Sequence, residues 1–147
     1  MPDEVSNLNL QQDYDEVLTS DDASRWHLEK PGDLEVLVTI SPKSAPQEVF
    51  QARLLWNSYP SDLPPSLKFR DPATGRLDLA SAWPEIRGFR PTSLDACVNY
   101  CAEGFGIHPE WKNDPNCRWV PTGNVLLKVL RILQKEFDNH FTRRFRG

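Results

Sequence analysis

The residues best suited to chemistry are concentrated in one stretch of the chain, residues 95–121, which read DACVNYCAEGFGIHPEWKNDPNCRWVP. This stretch holds Cys97, Cys101 and Cys117, which are all the cysteines of the chain, together with His108. A cysteine thiolate can act as a nucleophile or bind a metal, and an imidazole can transfer a proton near neutral pH. The stretch is polar, is interrupted by glycine and proline, and lies between a short apolar run and a long helical pattern. It therefore indicates a functional loop carried on a scaffold.

Size and composition indicate a single domain, residues 1–147, with one core. A formal net charge of −4, without a basic stripe before the tail, argues against nucleic acid as a partner. No apolar run approaches the roughly 20 residues that span a bilayer, so no membrane partner is expected. The acidic, polar start does not resemble a signal peptide, and the number of cysteines is odd. We therefore expect a cytoplasmic protein whose thiols are buried, metal-bound or reactive.

The first half of the chain predicts one helix and four strands. Apolar residues at mixed three- and four-residue steps predict a short amphipathic helix over residues 9–18. Alternating or β-branched segments separated by turn residues predict strands over residues 25–30, 34–40, 49–56 and 66–70. Because short connections favour neighbouring antiparallel strands, the four strands should form a meander.

The second half predicts a long looped region followed by a helix. Prolines between residues 59 and 65 exclude a central strand or helix there, and residues 76–91 show no clear element. Residues 94–100 are apolar enough for a short extended segment. Apolar residues at helical spacing predict a helix over residues 122–139, with Thr122 as its N-cap.

Residues 1–7 and 141–147 show no apolar pattern that would hold them, and we expect both ends to be flexible. Trp83, Trp111 and Trp119 lie in or near the looped region and are expected to pack it onto the domain. The order of elements is typical of an α+β domain. We expect an N-terminal helix, a four-stranded antiparallel meander, a long loop, and a C-terminal helix packed on the sheet.

Two segments resemble the ubiquitin-conjugating enzyme family. Residues 59–69, YPSDLPPSLKF, are similar to the family's Tyr-Pro-x-x-Pro-Pro-x-x-x-Phe signature with one extra residue. Residues 119–130, WVPTGNVLLKVL, resemble the Trp-x-Pro and apolar helix that follow the family's active cysteine. The resemblance covers residues 8–139. It implies a ubiquitin-conjugating-enzyme-like fold in which a long loop carries a reactive cysteine.

The loop itself is more similar to a bacterial branch of this superfamily, which is found beside ubiquitin-like proteins and activating enzymes. Cys97 is followed by Glu-Gly-Phe at residues 103–105 and by His-Pro-Glu-Trp at residues 108–111, as in that branch. The His-Pro-Asn triplet that usually lies upstream of the family's cysteine is absent from this chain. The resemblance implies that Cys97 is the acceptor cysteine and that the protein belongs to antiviral defence operons.

The same resemblance implies a reaction and its partners. Cys97 would take a ubiquitin-like protein from an activating enzyme as a thioester and pass it to a target amine. Asn99 would lie on the Cys97 face of an extended segment and offer its amide to the oxyanion. His108 would donate to the oxyanion or accept a proton from the amine, and Asp95 and Glu103 could orient a lysine. This chemistry requires no cofactor or metal on the conjugating protein.

Each of these residues also has a structural interpretation. Cys97 could be a small buried apolar residue, Asn99 a turn former, and His108 a partner in hydrogen bonds within the loop. Cys101 could be the acceptor, a thiol that oxidises with Cys97, or inert. Cys117 is expected to pack near the start of the final helix.

A zinc site is the other chemical interpretation of the loop. The Cys3His set consists of Cys97, Cys101, His108 and Cys117, and its first spacing suits zinc whereas the other spacings match no standard finger. Three hypotheses therefore remain. They are a conjugating transferase, a catalytically inactive module of the same fold that binds a ubiquitin-like protein or its activating enzyme, and a zinc-stabilised interaction domain.

Overall fold

The computed structural model describes residues 3–147. The helices of this range are α1 (Glu4–Leu18), α2 (Ala102–Ile107) and α3 (Val125–His140). The strands are β1 (His27–Gly32), β2 (Glu35–Ile40), β3 (Phe50–Leu55), β4 (Ser66–Arg70), β5 (Pro84–Glu85), β6 (Phe89–Arg90), β7 (Asp95–Ala96) and β8 (Arg143–Arg144). Short 3-10 helices lie at Asp21–Arg25, Ala80–Ala82, Pro91–Ser93 and Pro109–Asn113. Within residues 3–147, no helix has the length and apolar character needed to cross a membrane.

Strands β1 to β4 form an antiparallel sheet in chain order, which confirms the predicted meander. Alternate side chains of β2 and β3 are buried, because successive residues of a strand point to opposite faces. At the centre of the buried face, Val38 lies opposite Ala52, and Ala52 lies opposite Phe69. With α1 before the sheet and α3 after it, the domain is α+β.

Helix α3 contributes its apolar face to the core. The buried residues recur at helical spacing and are Val125, Leu126, Val129, Leu130, Leu133, Gln134 and Phe137. The helix begins after Asn124, whose side-chain oxygen accepts a hydrogen bond from the backbone N–H of Leu127 at 2.9 Å. The predicted N-cap, Thr122, is exposed and lies two residues too early. That prediction is wrong because Asn124, an equally good capping residue, is closer to the first buried apolar position.

Helix α1 begins earlier than its apolar pattern indicates. Asp3 caps it, since its carboxylate accepts hydrogen bonds from the backbone N–H of Ser6 at 2.7 Å and from the Ser6 hydroxyl at 2.9 Å. Residues 4–7 are therefore helical rather than flexible, while residues 1 and 2 of that prediction lie outside the described residues. Val5 and Leu8 are 66% and 67% exposed, so this end of the helix has little apolar signal.

The C-terminal tail, which we expected to be flexible, is paired with the middle of the chain. Strand β8 runs antiparallel to β5, with Arg144 opposite Pro84. The backbone N–H of Phe145 donates to the carbonyl of Trp83 at 2.9 Å, and the Arg144 guanidinium lies 4.0 Å from the ring centroid of Phe50. Two-residue strands have no periodicity of their own, so the sequence pattern could not indicate them.

The hydroxyl of Tyr59 joins the turn after β3 to both long helices. Tyr59 is 2% exposed, and its hydroxyl donates to the Asp13 carboxylate of α1 while accepting from the backbone N–H of Leu126 at 2.9 Å. The backbone N–H of Tyr59 also donates to the hydroxyl of Ser6 at 3.0 Å. Burial raises the pKa of Tyr59, so the phenol remains a donor at neutral pH.

We expect Tyr59→Phe to lower the free energy of unfolding by about 1–3 kcal/mol, because it removes a hydrogen-bond partner from the Asp13 carboxylate and from the Leu126 N–H. Urea denaturation followed by circular dichroism measures this change. Tyr14→Phe is the matched control, since the part-buried Tyr14 hydroxyl has no hydrogen bond with the described residues. Its effect should stay within about 0.5 kcal/mol. Equal losses in the two variants would contradict the role of the Tyr59 hydroxyl.

Candidate active site

Cys97 lies directly after β7, at the end of the β6–β7 hairpin. Its backbone N–H continues the pairing of the two strands by donating to the carbonyl of Gly88 at 2.7 Å. Cys97 is partly exposed. The extended segment predicted over residues 94–100 is a strand only at Asp95–Ala96, and bend and turn residues follow Cys97. The candidate nucleophile therefore lies at the edge of an ordered hairpin.

The three thiols have different environments. Cys101 is 0% exposed, and its thiol donates to the carbonyl of Ala96 at 3.4 Å. Burial raises the pKa of Cys101 to about 12, which makes it a poor nucleophile. Cys117 is partly exposed, and desolvation together with its hydrogen bond to Asp114 raises its pKa. Only Cys97 combines partial exposure with a backbone that is paired in a hairpin.

Helix α2 lies against the segment that carries Cys97 because Gly104 has no side chain. A Cβ atom at Gly104 would lie 1.8 Å from the carbonyl oxygen of Val98, a distance that no side chain can tolerate. Gly88 also approaches Val98, since a Cβ atom there would lie 2.8 Å from the Val98 Cγ1 atom. Val98 is the residue after Cys97, so these two glycines determine where the Cys97 segment packs.

Glu103 attaches α2 to the main sheet. Its carboxylate accepts hydrogen bonds from the backbone N–H of Leu67 at 3.0 Å and from the hydroxyl of Ser66 at 2.5 Å. The ammonium of Lys68 lies 3.8 Å from the same carboxylate. To orient an acceptor lysine, Glu103 would have to give up its three partners on β4. In this conformation Glu103 positions the loop.

Asn99 joins the beginning of the long loop to its end. Its side-chain amide donates to the backbone carbonyl of Cys117 at 3.1 Å, and the residue is exposed. Because the chain turns after Cys97, the strand alternation that would place Asn99 on the Cys97 face does not apply. The hydrogen bond instead joins two ends of the loop.

His108 follows α2 and is engaged by the residues of its own segment. Its Nδ1 atom lies 3.2 Å from the Glu110 carboxylate, and its ring stacks on Trp111 with centroids 4.5 Å apart. Its backbone N–H donates to the carbonyl of Gly104 and ends the helix. Within the part of the chain that the structure describes, the side chain of His108 makes no hydrogen bond with Cys97.

The proposed zinc ligands do not come together. Among residues 3–147, no group of three or more His, Cys, Asp or Glu side chains converges as metal ligands. The thiol of Cys101 is bonded inside the core, and the imidazole of His108 stacks on Trp111. The structure therefore does not bring the Cys3His set together as a zinc site.

The tryptophans of the looped region pack it onto the domain, as predicted. Trp83 is 0% exposed and lies 4.9 Å from the ring centroid of Phe69. Trp111 lies edge-on to Phe105, with centroids 5.9 Å apart. Trp119 is 8% exposed. Together these rings hold the segments on both sides of Cys97 against the core.

A groove with a volume of about 890 Å³ lies beside the end of the long loop. The turn after β3 forms one wall through Pro60 and Leu63, and the other wall includes Arg118 and Trp119. The buried indole N–H of Trp119 has no hydrogen-bond partner among the described residues. The Lys128 ammonium lies 5.0 Å from the centroid of the Trp119 ring. The groove is therefore lined by polar and apolar side chains together, with charges of both signs from Asp62, Lys112 and Arg118.

Arg90 is a site residue that sequence reasoning missed. Its guanidinium donates two hydrogen bonds, both 2.7 Å long, to the carboxylate of Asp95. The side chains that lie opposite each other on a hairpin depend on its register, and residues 76–91 had no predicted element. The sequence offered one related signal, for the partner of Arg90 rather than for Arg90 itself. Asp95 and Cys97 are two residues apart, so they lie on one face if their segment is a strand.

Comparisons of this chain with protein-family models, with curated proteins and with solved structures found no match. A function therefore has to be argued from the residues and from their geometry. The geometry assigns different surroundings to the three thiols, and it makes Glu103 and Gly104 structural partners of the segment around Cys97.

We expect iodoacetamide to alkylate Cys97 and Cys117 in the folded protein, because both are partly exposed. Cys101 should react only after unfolding, since it is 0% exposed. Peptide mass spectrometry of protein alkylated with and without urea measures each site. The unfolded sample is the control, in which all three thiols should react. Alkylation of Cys101 in the folded protein at the rate of Cys97 would contradict its burial.

We expect Gly104→Ala to lower the free energy of unfolding by about 3 kcal/mol or more, because its methyl group would overlap the Val98 carbonyl. The displaced loop should also make Cys97 react faster with iodoacetamide. Denaturation and alkylation rates measure the two effects.

Gly106→Ala is the matched control in the same helix, because a Cβ atom there meets nothing within 4 Å. It should be neutral or raise the free energy of unfolding by up to about 1 kcal/mol. Similar behaviour of the two variants would show that the Gly104 contact does not position the loop.

Proposed function

We propose that this protein is a ubiquitin-conjugating-like transferase in which Cys97 accepts a ubiquitin-like protein as a thioester. The observation that carries the proposal is the environment of Cys97. It is partly exposed, follows a hairpin, and is paired through its backbone with Gly88 at 2.7 Å. A nucleophile that must meet a large protein thioester requires both access and a fixed position. The motif residues around Cys97 support the same function by resemblance, and they alone support a role in antiviral defence.

The reaction consists of two acyl transfers. The Cys97 thiolate attacks the carbonyl carbon of the thioester that joins the ubiquitin-like protein to its activating enzyme. The new C–S bond forms, the old C–S bond breaks, and the activating enzyme's sulfur leaves as a thiolate. An acceptor amine then attacks the same carbon. A C–N bond forms, Cys97 leaves as a thiolate, and the amine proton passes to water.

The roles proposed for Asn99 and His108 require their side chains to leave their present partners. The Asn99 amide is bonded to the Cys117 carbonyl, and the His108 ring is stacked on Trp111. Asn99 is exposed, so its amide can rotate toward an oxyanion at Cys97 for the cost of one surface hydrogen bond. We therefore place Asn99 ahead of His108 as the assisting residue.

The second candidate function is a catalytically inactive module that binds a ubiquitin-like protein or its activating enzyme. Two observations favour it. First, the side chains of Asn99 and His108 are engaged by Cys117 and Glu110. Second, a groove of about 890 Å³ with Trp119 in its wall lies beside the loop. A binding module would use such a surface without any chemistry at Cys97.

A thioester assay tests the transferase. The protein is incubated with an activating enzyme, its ubiquitin-like protein and ATP, and is then run on gels with and without reducing agent. We expect an adduct that is cleaved by thiols and that is absent from Cys97→Ala. Cys117→Ala is the matched control, because it removes the other partly exposed thiol and should leave the adduct unchanged.

The outcomes separate the alternatives. If the adduct is lost in Cys101→Ala and retained in Cys97→Ala, the acceptor is Cys101, whose thiol is buried in this conformation. If a demonstrably charged activating enzyme leaves the protein unmodified, the transferase is wrong. Binding of the ubiquitin-like protein that survives Cys97→Ala would then favour the binding module.

A further inference from the structure

The exposed face of the β6–β7 hairpin brings three side chains with complementary chemistry together. Asp95 lies opposite Arg90 in the register, and Cys97 continues the pairing opposite Gly88. Side chains two residues apart on a strand point to the same face. Asp95 and Cys97 therefore share a face with Arg90, while Ala96 between them is 0% exposed on the opposite face.

The Arg90 guanidinium is held in place on this face by two hydrogen bonds. Both join it to the Asp95 carboxylate, and each is 2.7 Å long. The side chain of Asp95 is 18% exposed and that of Arg90 is 45% exposed, so the pair is at the surface but one partner is mostly covered. A bidentate arrangement fixes the direction of the guanidinium better than a single hydrogen bond does.

Arg90 lies diagonally across the hairpin from Cys97. Diagonal neighbours on an antiparallel pair are about 7–8 Å apart, which a long side chain can span. Gly88, which lies opposite Cys97, has no side chain to come between them. The pKa of Arg90 is raised above its usual value, first by the hydrogen bonds to Asp95, so the guanidinium carries its charge at every pH of interest.

The nearby cations on other elements are engaged elsewhere. The Lys68 ammonium donates to the carbonyl of Leu94 at 2.7 Å and lies beside the Glu103 carboxylate. Arg87, next to Gly88, is 71% exposed and pairs with Glu136 of α3 at 3.8 Å. Arg90 is therefore the cation held on the same face of the hairpin as the thiol.

We propose that Arg90 stabilises the thiolate of Cys97, and that Asp95 both holds the guanidinium in place and limits its effect. As a step in conjugation this rests on the proposed function, in which Cys97 must be a thiolate twice. It loses its proton to solvent before it attacks the incoming thioester, and it leaves again as a thiolate when the amine displaces it. A fixed positive charge on the hairpin lowers the free energy of both states.

The alkylation rate of Cys97 tests the proposal without any conjugation partner. Iodoacetamide is neutral and reacts with the thiolate, so its rate at fixed pH follows the thiolate fraction. The measurement uses the full chain with Cys117→Ser, at low salt and neutral pH. We expect Arg90→Gln to slow alkylation roughly two- to threefold and Arg90→Lys to restore most of the rate. Asp95→Asn should accelerate it, because it removes the neighbouring negative charge.

Two controls separate charge from structure. Arg76→Gln removes another exposed arginine that makes bidentate hydrogen bonds, at 2.8 Å and 3.0 Å, to Asp78 in another part of the chain. It should leave the alkylation rate unchanged. The effect of Arg90→Gln should also shrink in about 1 M salt, where charges are screened within about 3 Å.

The results that would overturn the proposal are specific. Equal rates in Arg90→Gln and Arg76→Gln would show that Arg90 does not act on the thiol. A slow rate in Arg90→Gln that salt does not change and that Arg90→Lys does not restore would show a structural effect instead. If the expected alkylation rates are found but no thioester forms, the transferase is wrong while the electrostatic role of Arg90 stands.

Discussion

The segment that carries the candidate nucleophile is held by a close backbone contact between α2 at Gly104 and the carbonyl group of Val98, in addition to the pairing of Cys97 with Gly88. The contact needs a residue without a side chain on the helix, and it needs the helix to be attached to something rigid. Glu103 provides that attachment through the backbone N–H of Leu67 on β4. The four-stranded sheet therefore determines where Cys97 lies by way of a helix of six residues. A nucleophile held in this way loses little further freedom when a partner arrives.

The parts of the fold that the sequence could predict are those with local periodicity. The meander and α3 have apolar residues in periods of two and 3.6, and both occur as predicted apart from their ends. The pairing of β8 with β5 could not be predicted, because two-residue strands become ordered only through contacts with distant segments. The early start of α1 was missed because Val5 and Leu8 are exposed and Asp3 acts through capping.

For the candidate site, the sequence suggested residue types, and only the structure supplies their geometry. Resemblance and chemistry singled out Cys97, and the structure distinguishes it from Cys101 by burial. Asn99 was expected on the Cys97 face of an extended segment. The chain turns after Cys97 instead, and the Asn99 amide donates to the carbonyl of Cys117 at the other end of the loop. Glu103 was considered as an acid near the reacting groups, and it turned out to bind the edge of β4. Which partner a polar side chain finds depends on long-range packing, which no local pattern contains.

The hydrogen bond from Asn99 to the carbonyl of Cys117 has a dynamic consequence. It closes a loop between positions 18 residues apart, and α2 and the His108–Trp111 stack lie inside that loop. An exposed hydrogen bond of this kind costs little to break, whereas the core under Trp119 and the sheet do not depend on it. The segment between Trp111 and Trp119, which is mostly exposed, can therefore open locally while α2 stays attached to the sheet through Glu103. A partner that captures the Asn99 amide would release one end of this loop.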